Sequence, residues 1–123
     1  MPIGARPFGT HWQDWANLVL GVWLFMSPWL LNYAGLPAAA WNAWLFGLVV
    51  TALSAASLIH YARWVEWSNV AAGAWLVVAP WVLAFAWSGD TRPVFNHVIV
   101  GLLVAVLALW DALAHREERI VWE

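Results

Sequence analysis

Few side chains in this sequence are able to do chemistry, and their spacing limits what that chemistry is. The four histidines, His11, His60, His97 and His115, lack the close spacing with which zinc ligands are presented. His60 and His115 close two apolar segments on the same side, an arrangement compatible with the two axial imidazoles of a haem. Histidines at such places also serve as simple caps at the negative end of a helix dipole. Asp14, Glu66, Asp90, Arg92 and Asp111 all fall at the ends of apolar segments, so no buried proton carrier is expected. Thr51, Ser54 and Ser57 would suit a polar path, although hydroxyls on a helix equally bond their own backbone carbonyls. There is no cysteine, which excludes thiolate metal sites and disulfides. No nucleophile elbow, phosphate loop or metal motif occurs, so neither a catalytic residue nor a metal ligand is expected.

The elements that must position these residues are membrane helices. Of 123 residues 64% are hydrophobic and 10% charged, whereas a soluble domain spends about a quarter of its residues on charge. A net charge of −2 offers no basic stripe to neutralise phosphates and excludes nucleic acid as a partner. The expected partner is the lipid bilayer. Between Asp14 and Arg63 no charged residue occurs, and the run is long enough for two crossings of about 20 residues each. Asn32, Gly35 and Pro37 mark the turn between them. Glu66 to Asp90 and Arg92 to Asp111 enclose two further segments, giving spans near 15–33, 38–60, 66–87 and 93–114. Continuous apolarity demands helices, since a barrel strand would alternate. Arg6, the stretch 18–31 and Ala38-Ala39-Ala40 imitate a secretory signal, but that stretch is too long and carries Trp23 and Trp29.

An internal repeat organises the chain. At an offset of 52, Trp12, Trp15, Asn17, Gly21, Trp23, Leu24, Pro28, Trp29 and Leu31 fall on identical residues, nine in the twenty positions 12–31, and Asp14 meets Glu66. The match resumes at an offset of 54, where Asn42, Gly47, Leu48 and Leu53 meet Asn96, Gly101, Leu102 and Leu107. Composition alone would give one or two identities, so the repeat is real. The expected architecture is all-α: a single membrane domain over 1–123, with helical hairpins at 12–60 and 64–114 and a polar cytoplasmic tail at 115–123. Equivalent helices cross in the same direction, so the repeats are parallel about an axis along the membrane normal.

Packing expectations follow from the same register. Asn17, Gly21, Leu24 and Pro28 share one helix face, as do Asn69, Gly73, Leu76 and Pro80, and these faces are expected to meet. Asn17 and Asn69 then act as glue between the repeats, worth about 0.6–2 kcal/mol each. Pro28 and Pro80 bend the last turns, and Ser27, unlike Ala79, is able to satisfy a carbonyl that the proline frees. Small residues recur as Gly47, Thr51 and Ala55 and as Gly101, Ala105, Ala108 and Ala112, stripes suited to close helix contact within the chain or with another copy. Most of the thirteen tryptophans anchor at the two interfaces. Trp23 and Trp75 lie about 12 Å deeper, where each needs a partner for its N–H or lines a pocket for a flat hydrophobic ligand.

The pattern Trp-x-[Asp/Glu]-Trp-x-Asn-x3-Gly-x-Trp-Leu-x2-[Ser/Ala]-Pro-Trp resembles the SPW-repeat family of small bacterial and archaeal membrane proteins. Ser27-Pro28-Trp29 carries the tripeptide that names it, and Ala79-Pro80-Trp81 is the second copy without its hydroxyl. The resemblance implies a location in a bacterial or archaeal cytoplasmic membrane and carries no biochemical activity with it. The residues themselves point to a non-enzymatic structural or accessory protein that assembles with itself or with a larger membrane complex. The alternatives are a module that binds a quinone, carotenoid, haem or lipid, with Trp23, Trp75, His60 and His115 as candidate contacts, and then a small transporter. Arg6, Arg63, Arg116 and Arg119 lie on one side against Arg92 on the other, which places both termini in the cytoplasm.

Overall fold

The structure is a computed structural model that describes the backbone of residues 12–122 and the side chains of residues 12–114. It is all-α. Four helices, α1 (Trp12–Leu30), α2 (Pro37–Ile59), α3 (Arg63–Val82) and α4 (Thr91–Trp122), are joined by short turns, with one 3-10 turn at Phe85–Trp87. Two segments, Pro37–Ile59 and Thr91–Ala114, are long and apolar enough to cross a membrane. α4 continues unbroken past Ala114. Arg6 and His11 lie outside the described residues, and the side chains of His115, Arg116 and Arg119 lie outside those described.

Glycine sets the closest approaches. A Cβ on Gly47 would stand 2.5 Å from the Phe25 nitrogen and 2.8 Å from the Gly21 carbonyl oxygen, and one on Gly101 would stand 2.6 Å from the Gly73 carbonyl oxygen. Only a hydrogen fits at these crossings, so α1 is drawn onto α2 and α3 onto α4. Gly73 also faces Ala105. Gly47 and Thr51 of the first stripe, and Gly101 and Ala105 of the second, are therefore engaged inside the hairpins, and Ala108 and Ala112 are fully buried.

The two hairpins close into a ring. α1 packs on α2 and α4, and α3 packs on α4 and α2, so α1 and α3 stand on a diagonal. This corrects the expected direct contact between the Asn17 and Asn69 faces. Asn17 instead reaches the Val104 carbonyl on α4 at 3.5 Å, and Asn69 donates to Ser54 Oγ on α2 at 3.2 Å. Both bonds still cross between repeats. The buried apolar residues Leu24, Leu76, Val50, Val100 and Val104 fill the middle of the ring.

The hairpin turns repeat as well. In the first, Tyr33 and Ala34 donate N–H bonds to the Pro28 carbonyl and Asn32 takes φ 62°, a left-handed helix end. Asn32, and not Gly35, supplies the left-handed residue of this turn. Its counterpart at the offset of 52 is Ala84, at φ 69°. Pro37 opens α2, where its missing N–H costs nothing. Ser27 Oγ donates to the Trp23 carbonyl at 2.6 Å. The carbonyl that Pro28 deprives of a donor is that of Leu24, so the hydroxyl does not fill the place expected for it.

Candidate functional site

Where α1 and α3 begin and α2 ends, three carboxyl groups converge. Asp14 lies in the first turn of α1, Glu66 in the first turn of α3 and Asp111 in α4; one oxygen from each lies within 4.8 Å of the others. All three residues are fully buried. The Ser57 hydroxyl on α2 stands 3.0 Å from Asp14 Oδ2 and 2.5 Å from Glu66 Oε2. A hydroxyl owns one proton and donates to one oxygen, so the other contact needs a proton or a cation from elsewhere.

The centre obeys the internal symmetry. Asp14 and Glu66 are equivalent at the offset of 52, and Ser57 and Asp111 at the offset of 54. Each hairpin thus supplies one residue from its first helix and one from its second. The expectation that no ionisable group is buried is overturned: the residues do fall near segment ends, but four helices close over them. The sequence showed no cluster because the three acids are split among distant elements. Its signal was available in the register, where one alignment pairs Asp14 with Glu66 and the resumed alignment pairs Ser57 with Asp111.

One turn further along α1 and α3 come Asn17 and Asn69, both fully buried. Their amide nitrogens are engaged as described above, while both carbonyl oxygens lack a hydrogen-bond partner. Beside the acids, in the turn between α2 and α3, Tyr61 is held in its neutral form. Burial raises its phenol above the ordinary range, and the nearby Asp111 and Glu66 charges raise it further.

Trp23 and Trp75 find symmetric partners. Trp23 Nε1 donates to Asn96 Oδ1 at 2.8 Å, and Trp75 Nε1 donates to Asn42 Oδ1 at 2.9 Å. These bonds join α1 to α4 and α3 to α2, so each ties one hairpin to the other. Asn96 also donates to the Tyr33 hydroxyl at 3.0 Å. His97, buried against Phe85, has Nδ1 2.8 Å from the Pro93 carbonyl; Nδ1 must carry the proton, leaving Nε2 as a lone pair without a partner. His60 is exposed at the end of α2.

A groove of about 690 Å³ opens on the outer side of the first hairpin, lined by Phe25, Trp29, Trp41, Trp44, Leu45 and Leu48 among others. Its aromatic wall is continuous: Phe25 to Trp29 is 5.9 Å between ring centres, Trp29 to Trp44 5.2 Å, and Trp44 to Trp41 5.2 Å. None of the expected ligand contacts Trp23, Trp75 or His60 lines it. Within the Ser27-Pro28-Trp29 and Ala79-Pro80-Trp81 tripeptides, the first two residues are buried and the tryptophans face outward, exposed by 57% and 48%.

The fold and these sites define a helical protein of two like hairpins, with buried polar groups at both ends of its interior and an apolar outside. It belongs to the SPW repeat domain family, which matches residues 11–111, and two of its helices are long and apolar enough to cross a membrane. No curated protein and no solved structure matches the chain.

Proposed function

We propose that the chain is a four-span protein of the cytoplasmic membrane, both termini inside, that performs no catalysis and holds a hydrophobic chain in the groove of its first hairpin. The groove carries this reading. Its lining has no charge; the oxygen of its one amide, Asn42, accepts from Trp75, and only neutral donors, the Asn42 amide nitrogen and Trp44 Nε1, are left without a partner. A ligand lying there meets indole and leucine surfaces and no group that would select a charged head. The occupant that fits is an acyl or isoprenoid chain, as carried by a lipid or a quinone.

The test is extraction of bound lipids after purification in mild detergent. The parent should retain a defined lipid or quinone through washing, and Trp44→Ala, which removes an inner ring of the stack, should lose most of it. Equal retention by parent and variant would defeat the reading.

An accessory role in a larger assembly is the second reading. It is supported by the outward apolar surface, where Trp41 and Trp64 are each exposed by 67% and Trp87 by 72%. Lipid covers such a surface as readily as protein does. Native mass measurement in nanodiscs decides between them: a second copy or a copurifying subunit supports assembly, and a bare monomer excludes it.

A further inference from the structure

We propose that Asp14, Glu66 and Asp111, together with Ser57 and the amide oxygens of Asn17 and Asn69, form a binding site for one hard divalent cation shared between the two repeats. The carboxyl oxygens cluster within 4.8 Å. Oxygens bound to one cation at 2.3–2.6 Å stand at most about 4.6–5.2 Å apart, so these three are close enough to share a single Ca²⁺-sized ion. Every candidate ligand atom is oxygen, the donor set that hard cations select.

The second observation is independent of the acids. Asn17 Oδ1 and Asn69 Oδ1 are buried among the four helices, one turn below the carboxyls on the same helix faces, and neither has a donor. An amide oxygen takes up no proton at neutral pH, and leaving one unsatisfied in an interior costs stability. Two such oxygens on diagonal helices, placed by the same repeat position, face the same interior as the carboxyls. A cation satisfies them and neutralises the carboxylates at once.

Asp14 and Glu66 each sit in a first helical turn, where the positive end of the helix dipole stabilises negative charge. No ion pair among the described residues serves either of them: Arg63, near in sequence, leaves its buried Nε without a hydrogen-bond partner, and Arg92 is taken by Asp90 at the other end of the bundle. Three carboxylates crowded together out of water stay ionised only with a countercharge, which a cation brings.

The experiment uses Mn²⁺ alone as the probe. The full chain, purified in detergent and stripped with a chelator, should abolish the six-line electron paramagnetic resonance signal of free Mn²⁺ up to one equivalent, and Ca²⁺ should restore that signal by competition. The pair Asp14→Asn with Glu66→Gln, which keeps side-chain shape, should weaken Mn²⁺ binding by about 100-fold or more. Its helical circular dichroism and elution should match the parent, and Asn69→Leu gives a second variant that leaves all three acids in place and should also weaken binding. A folded parent that leaves the Mn²⁺ signal unchanged overturns the site and means that protons neutralise the acids. Binding of equal strength in the parent and the acid variant overturns it too. Neither result bears on the lipid groove, which lies on the outer side of the first hairpin and is read by extraction.

Discussion

Asn42 and Asn96 occupy equivalent positions and accept equivalent indole bonds, yet they are not equally tied in. Asn96 accepts from Trp23 and donates to the Tyr33 hydroxyl, whereas the Asn42 amide nitrogen is buried without a partner. Asn96→Leu strands a Trp N–H and takes a donor from Tyr33. Asn42→Leu strands one N–H but removes an amine that was already unsatisfied. The first change should therefore cost more, about 1–3 kcal/mol against about 1 kcal/mol for the second, in unfolding followed by circular dichroism. At this scale the sequence was legible in type and not in pairing. Trp23 and Trp75 announced a need for partners by their depth, but only the ring order of the helices decides that each finds an asparagine on the other hairpin. The acids were misplaced for a related reason. A position near the end of a span looks wet on one helix, and it becomes dry when three neighbours stand around it.

The helices owe their arrangement to residues that are small or conformationally special. Gly47→Ala would put a methyl 2.5 Å from the Phe25 nitrogen. Backbone cannot yield as a flexible side chain does, so this change should destabilise by about 1–3 kcal/mol or more. Gly35→Ala meets nothing within 4 Å and needs no positive φ, and it should be neutral to about 0.5 kcal/mol. Thermal melts of the two variants in one detergent make the comparison. The opposite sign is expected at Ala84, held left-handed at φ 69° where the first repeat has Asn32. Ala84→Asn should stabilise by about 0.5–1 kcal/mol, because asparagine tolerates that conformation and alanine pays for its Cβ there. Element boundaries could be read to within a few residues from charge and from Asn and Pro. The length of α4 could not, since its polar end carries no helix breaker.

For the molecule as a whole, the repeat was the most legible feature, because identities at a fixed offset survive any uncertainty about helix ends. It foretold two like hairpins and did not foretell which helices would touch. The proposed topology rests on arginines, four on one side against Arg92 on the other. Reporter fusions at Glu123 and in the loop at Gly35 should read cytoplasmic and exterior, and the reverse pattern would sink the orientation. Arg92 is itself occupied, since its guanidinium grips both oxygens of Asp90 at 3.0 and 2.7 Å. That grip holds the Asp90 carboxyl below the ordinary range, so the pair stays formed through neutral pH and is lost only on strong acidification.

Closure of the ring through α1 and α4 has a consequence for how the gene is written. Each hairpin is sealed internally by its glycine crossing, and each meets the other through an equivalent bond from a deep tryptophan to an asparagine. The bundle therefore has no privileged first hairpin. A circular permutant that starts at Ala62, runs through Glu123 and a flexible linker into Met1, and ends at Tyr61 should insert its helices with unchanged orientation. It should reach the parent's helical content and elution volume. Cutting instead within 40–56 would divide a glycine-sealed pair during insertion, and that permutant should yield far less folded protein.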